Sequence, residues 1–488
     1  MSHDQKLSQL LKVIGPHFLA ENILTQAPHM RPYESDALTM FKQLPLCVVM
    51  PETEAQIQLL MRTCSELSLP VVTRGAGTGL SGGATPNAQA VLLVMTKFNK
   101  ILEVNGENAF ACVQAGVRNA AISEASSADG LYYAPDPSSQ IACSIGGNVA
   151  ENSGGVHCLK YGLTLHNILK VRVVLINGEI VELGGLAPDT PHLDLLSVFI
   201  GSEGMLGVVT TVWVKLIPKP KLAEVILASF SSVQSAADAV AQIIANGLIP
   251  AGLEMMDAAT TRAVEGFLHA GYDLDAAALL LCESDGEPEV VRAEIAAMSD
   301  ILTQAGAYRL QVSQNEAERL NFWLGRKSAF PAAASIAPDY YCMDGTIPRK
   351  NLGALLNSIT QLEQEFNLQC LNVFHAGDGN LHPMILFDGT SSEQTERAEA
   401  FGGKILEACI EQGGTITGEH GVGLEKIGHM CIQFSDAERQ TMWAVKAAFD
   451  PQLLLNADKA IPTLHRCAEF GRMHVHHGNL PFPEIPRF

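Results

Sequence analysis

The sequence predicts an α+β protein with two principal domains and a C-terminal segment that returns to them, and three observations carry that prediction. Residues 46–73 read as strand, helix, strand; the run Ile217-Pro218-Lys219-Pro220 then separates a loop-rich first part from a second part with longer helical periodicity. From Gly413 the chain turns glycine-rich again before one more helix. At 488 residues the chain also exceeds what a single core supports. The expected boundaries are 1–220, 221–412 and 413–488.

The elements follow in order. Leu46 to Met50 is apolar and strand-like, a helix opens at Pro51-Glu52-Thr53 and ends near Ser68, and a second strand closes at Thr73. Apolar stretches at Val91–Met95, Ala111–Val113, Leu169–Ile176 and Val208–Leu216 are the next strands, divided by glycine-rich loops. Beyond the linker, helical patterns at Val233–Asn246, Pro288–Ala305 and Asn351–Phe366 alternate with strand-like Ala223–Phe230 and Ala277–Glu283. Asp436–Phe449 is the last predicted helix, followed by an ending rich in His and Pro.

Composition excludes several classes of function. The 32 basic against 52 acidic side chains leave a net charge of -20, which repels nucleic acid and anionic lipid. With 47% hydrophobic and 17% charged residues the chain has a globular composition, and no run reaches the roughly 18 apolar residues of a membrane span. The first residues show no export signal, so a cytoplasmic location is expected. The 11 cysteines are scattered without a C-x-x-C pair, which fits reduced thiols and excludes zinc knuckles, iron–sulfur ligation and haem attachment.

Three glycine loops point to a cofactor. Arg74-Gly75-Ala76-Gly77-Thr78-Gly79-Leu80-Ser81-Gly82-Gly83 follows a predicted strand, so its successive N–H groups, with Arg74 beside them, suit a diphosphate. Gly77, Gly79 and Gly82 satisfy G-x-G-x-x-G, but Pro86 and the strand near Val91 leave no room for the crossover helix of a Rossmann unit. The second loop runs from Pro135-Asp136-Pro137-Ser138-Ser139 through Ser144-Ile145-Gly146-Gly147-Asn148 to Asn152-Ser153-Gly154-Gly155, and the third is Gly201-Ser202-Glu203-Gly204-Met205-Leu206-Gly207. Backbone in such loops can approach a planar ring and meet its polar edge. Each loop alone would be an ordinary turn; three in order within one domain suggest one shared ligand.

These three stretches resemble the two-part FAD-binding domain of the vanillyl-alcohol oxidase superfamily, and within it the glycolate oxidase and D-lactate dehydrogenase branch, over nearly the whole chain. The resemblance implies an α+β, ferredoxin-like substrate domain after the flavin domain. It implies that Arg74, Gly75, Gly77, Thr78, Gly79, Ser81 and Gly82 hold the pyrophosphate. Pro137, Ser138, Ser144, Gly146, Gly147, Asn148, Asn152, Gly154, Gly155 and Glu203 would surround the rest of the FAD. Some relatives attach FAD to a histidine in the first loop; none lies between Val71 and Ala90, so the expected FAD is noncovalent.

A second cluster concerns catalysis. His375-Ala376-Gly377-Asp378-Gly379-Asn380-Leu381-His382 and Gly418-Glu419-His420-Gly421 bring imidazoles and a carboxylate into glycine-bracketed loops, a usual donor set for a divalent metal, zinc first among them. The resemblance assigns His375, His382 and Glu419 to the metal, His420 to proton abstraction and Asn380 to the lining. It also makes Arg326 the clamp on a substrate carboxylate, a task that suits a planar guanidinium. Where dicarboxylate-using relatives carry a lysine, this chain has Tyr340-Tyr341-Cys342-Met343-Asp344, and Phe330 adds bulk, so a short monocarboxylate is expected. That run and the ending Pro462–Gly471 most resemble the FAD-linked catalytic subunits of glycolate oxidases. Asn456-Ala457-Asp458-Lys459 departs from the family's N-P-G-K.

The expected activity is oxidation of a short 2-hydroxy acid, with a self-sufficient D-lactate dehydrogenase and a non-catalytic flavin-binding scaffold as the alternatives. The resemblance further implies a second flavin-type subunit and an iron–sulfur subunit as partners, which would hold the chain at the inner face of the membrane.

Overall fold

In a computed structural model, which describes residues 2–187 and 193–463, the predicted β-α-β opening forms as Cys47–Val49, Glu54–Leu67 and Val71–Arg74. Thr53 starts the helix: its hydroxyl accepts the Gln56 N–H at 3.3 Å, and the Gln56 side chain accepts the Thr53 N–H at 3.1 Å. Ile57, Leu60, Met61 and Cys64 form its buried face. Both strands pair in parallel with Val91–Val94. No helix forms between Arg74 and Val91, so the first glycine loop is not part of a Rossmann crossover.

A second, antiparallel sheet runs in the order Ile101–Asn105, Phe110–Gln114, Val208–Lys215, Ile168–Val174, Ile180–Gly184. Its two outer strands carried no clear apolar signal because they lie at the edges; Ile101–Asn105 is largely exposed. Leu60, Val91, Val113, Val171 and Val212 share one core with both sheets. The stretch after Ser144, expected as a loop, is instead a helix over Ile145–Glu151. Tertiary packing overrides the glycine pair: Ile145 and Val149 are buried, and the Gly146 N–H donates to Ala115 O at 2.7 Å. Asn152, in the left-handed region at φ 56°, ends the helix.

Beyond the linker lies an antiparallel sheet of seven strands, ordered Ala307–Val312, Leu222–Phe230, Ala278–Gly286, Gly252–Asp257, Cys370–His375, Asn380–Phe387, Asp339–Cys342. Alternation along Leu222–Phe230 divides its side chains between two cores. Ile226, Ala228 and Phe230 pack with helices Val233–Ala245, Pro288–Gln304, Leu352–Phe366 and Ser392–Glu411. Val225 and Leu227 face Ala258–Leu268, Glu316–Lys327 and Ala329–Ala334. Burial on both faces explains the unbroken apolar run Ala278–Cys282.

The C-terminal segment returns to the first domain. Helix Asp436–Phe449 is pinned there by Lys446, whose Nζ donates to Met205 O and Leu455 O, each at 2.7 Å, and to Asp450 Oδ2 at 2.6 Å. The chain then runs beside Val71: Val71 N donates to Leu454 O at 2.9 Å and Asn456 N to Val71 O at 2.8 Å. The sequence from Leu464 onward, including most of the family-like ending, lies outside the described residues.

Asp458, where the family carries glycine, is exposed and sits at φ 65°. A side chain costs free energy in that region. Asp458→Gly is therefore expected to stabilise the chain by about 0.5–1 kcal/mol, read as a higher urea midpoint. An unchanged or lower midpoint would mean that the aspartate has a compensating contact.

Candidate active site

The glycine loops and the histidine cluster face one cavity of about 550 Å³. The turns after Val71–Arg74 bring Gly75, Gly77, Thr78 and Gly79 to its wall. The second loop and its helix bring Pro137, Ser138, Ser144, Gly146, Gly147 and Asn148, and the third brings Glu203. From the second domain and the C-terminal segment come Arg326, His382, Glu419 and His420.

Other predicted residues stand behind this wall. Arg74 packs beneath the first loop, where a Cβ on Gly77 would lie 2.0 Å from its Nη2; Nη1 donates to Ser35 O at 2.6 Å and the guanidinium lies 5.8 Å from the Tyr33 ring centroid. Ser81 O accepts the Leu424 and Glu425 N–H groups, and Gly82 packs on Leu424. Asn152 caps its helix and accepts the Leu165 N–H at 2.8 Å, while Gly155 packs against Asp136. Gly154 leaves room for the cluster, since a Cβ there would lie 2.3 Å from Glu419 Oε2. Asn380 packs beneath Gly418, whose Cβ would come within 2.0 Å of Asn380 Nδ2.

The predicted metal set converges. His382 Nε2 lies 3.0 Å and His375 Nε2 3.4 Å from the same oxygen, Glu419 Oε1. Their other ring nitrogens are held from behind: His375 Nδ1 is 2.6 Å from Glu254 Oε1, and His382 Nδ1 is 3.3 Å from Met343 O. That arrangement fixes both rings with Nε2 forward, as ligation requires. Two ring nitrogens aimed at one carboxylate oxygen fit a divalent cation.

Glu254 escaped the sequence reading, although a carboxylate inside the apolar strand Gly252–Asp257 was a signal. It is 1% exposed, and its second oxygen takes Arg326 Nε and Nη2, both at 2.7 Å. The same buried carboxylate thus orients His375 and the arginine. Asp344 was also unassigned. Its carboxylate accepts the Gly418 N–H at 2.9 Å, the His420 N–H at 2.9 Å and the Thr417 hydroxyl at 2.6 Å, which shapes the loop that carries Glu419 and His420. Glu203, at φ 51°, anchors that loop from the first domain by accepting the Val422 and Gly423 N–H groups at 2.7 Å each.

His420 stacks on His382, ring centroids 4.8 Å apart, and its Nδ1 is buried without a hydrogen-bond partner. Burial pushes its imidazole down to about 4, so at neutral pH the ring is uncharged and can accept a proton. Phe330 and Tyr340, edge to face at 5.7 Å, line the cavity with Arg326. Lys327, an exposed cation, also lines the cavity. In the cavity wall, Glu151 Oε2 and Ser202 Oγ are buried and unpartnered, which suits a polar cofactor.

Residues 45–184 match the family described as FAD binding domain, and residues 219–460 match FAD linked oxidases, C-terminal domain. The chain is 58% identical to the glycolate oxidase subunit GlcD of Escherichia coli (strain K12), over 99% of this chain and 97% of that protein. It is 38% identical to the glycolate oxidase subunit GlcD of Bacillus subtilis (strain 168), over 92% and 95%. With the D-lactate dehydrogenase of Anaerostipes hadrus it shares 31% identity, over 86% and 90%. In fold it is similar to p-cresol methylhydroxylase, with a TM-score of 0.79 at 17% identity over 94% of this chain and 98% of that one. The glycine loops, the two matched domains and the full-length identity together place this chain among the FAD-linked oxidases, flavoprotein oxidoreductases, in the family of the glycolate oxidase subunit GlcD.

Proposed function

We propose that the chain oxidises glycolate to glyoxylate at this cavity, with noncovalent FAD, a divalent ion that is zinc by its donor set, and His420 as the base. The observation that carries the reading is the meeting of the glycine-lined wall with Arg326, His382, Glu419 and His420 around one cavity, with His375 beside Glu419. When bound, FAD accepts the C2 hydrogen with its electron pair and the divalent ion polarises the substrate hydroxyl. The residues of the chain do the rest. Arg326, held by Glu254, orients the carboxylate; a ring nitrogen of His420 takes the hydroxyl proton; Phe330 and Tyr340 limit the length of the acid. A scaffold without chemistry would have no use for this set together.

For the electrons we propose an onward path through a second flavin-type subunit and an iron–sulfur subunit at the inner face of the membrane. The sequence has no C-x-x-C pair to ligate a cluster, and among the described residues no helix is long and apolar enough to cross a membrane. Co-purification from the native host tests this; full quinone activity of the chain alone would favour a self-sufficient D-lactate dehydrogenase.

Turnover of a panel of 2-hydroxy acids with an artificial dye acceptor tests the substrate, with glycolate expected to give the highest kcat/KM. Chelation should abolish reduction of the flavin by substrate and leave the flavin bound; a normal reduction rate in demetallated protein would exclude the metal role. Acid precipitation should release the flavin into a yellow supernatant, and a coloured pellet would mean covalent attachment.

A further inference from the structure

We propose that Cys342, His382 and His420 form a second cation site, selective for thiophilic ions, that overlaps the His375–His382–Glu419 set at His382. The Cys342 Sγ and a ring nitrogen of each histidine lie within 4.8 Å of one another. Among the described residues, no other cysteine belongs to such a group of three donors. Cys342 Sγ has only a weak contact, to Met343 O at 3.4 Å, and His420 Nδ1 is buried without a partner, so neither donor is committed elsewhere.

A second cavity lies beside Cys342. It measures about 170 Å³ and is lined by Leu80, Pro338, Asp339, Tyr340 and Cys342 among others. A water molecule's share of liquid volume is about 30 Å³, so a hydrated ion fits. Asp339 is the only charged residue in that lining, which favours cations over anions. Cys342 lies on this cavity, whereas His382 and His420 lie on the larger one.

The donor types decide which ion stays. Thiolate sulfur with two imidazole nitrogens holds cadmium or zinc far better than magnesium or manganese. As the metal–sulfur bond forms, the Cys342 thiol proton passes to water, and no electrons move. His382 cannot serve both sets at once, and His420 as a ligand has its lone pair occupied. Loss of turnover on cadmium binding rests on the proposed roles of both His382 and His420; the binding itself does not.

The test uses the FAD-loaded full chain, stripped of divalent metal and titrated with cadmium. The expected result is an ultraviolet thiolate-to-cadmium absorption that saturates at one ion per chain, is lost in Cys342→Ser and persists in Cys282→Ser. In the unsubstituted chain, X-ray absorption at the cadmium edge should find one sulfur among nitrogen and oxygen neighbours, a readout that needs no variant to fold. A shell of nitrogen and oxygen alone would overturn the proposal. Added to the metal-replete chain, cadmium that gives the same sulfur signal should lower reduction of the flavin by glycolate by about 10²-fold or more. Sulfur-bound cadmium with undiminished reduction would support the site and remove the proposed roles of His382 and His420.

Discussion

Alanine in place of His420 should slow reduction of the flavin by substrate by about 10²–10⁴-fold and leave the flavin bound. The side chain faces the cavity, is stacked on His382 and is uncharged at neutral pH because burial pushes its proton affinity down. The loop does not depend on it: Asp344 accepts the backbone N–H groups of Gly418 and His420, and Glu203 accepts those of Val422 and Gly423. The loss should therefore appear in the rate of the reductive half-reaction, followed by stopped-flow absorbance, while the visible flavin spectrum and the thermal midpoint stay close to those of the native chain. A rate within tenfold of the native one would remove His420 from proton transfer and turn attention to the other groups that line the cavity.

Glu254→Ala should be the most destabilising single change in the site, costing about 3–5 kcal/mol by the measure of other broken buried ion pairs. Arg326 is 2% exposed and would keep its charge in the interior with no counter-ion at Nε or Nη2. His375 would at the same time lose the partner that turns its Nε2 forward, and lost orienting groups of this kind typically weaken a metal site about 10–100-fold. Two measurements separate the effects: the urea midpoint reports the stranded arginine, and metal retained against a competing chelator reports the histidine. Glu254→Gln, which still offers one acceptor, should fall between alanine and the native residue on both. An unchanged urea midpoint in Glu254→Ala would show that water or another group replaces the carboxylate.

What could be read from the sequence was whatever leaves a local mark. The helix beginning at Thr53 shows its cap and its buried face in consecutive residues, and the glycine and histidine motifs carry their chemistry within a few positions. Edge strands such as Ile101–Asn105 left little trace because few of their side chains are buried. The helix Ile145–Glu151 was hidden because its glycines speak against helix locally, and only packing against Ala115 decides otherwise. Glu254 and Asp344 were missed as functional residues for a related reason: each acts on a partner far along the chain, His375 for one and the 417–420 loop for the other, and no spacing rule links such distant positions. Arg74 lies beside Gly77 of the loop it was read with, and its bond to Ser35 O is a contact the sequence does not reveal.

The pairing of residues 454–456 with Val71 makes completion of the flavin domain's first sheet a late event in synthesis. A ribosome that has released the first 220 residues has made nearly all of that domain's sheets, yet the flank of Val71–Arg74 stays open until some 230 further residues have been synthesised and have formed the intervening domain. Closing so long a loop adds little to the equilibrium cost but much to the waiting time, and the open strand is a pairing hazard meanwhile. The nascent chain is thus expected to depend on chaperones during that interval, and flavin should be retained only after the C-terminal helix has docked through Lys446.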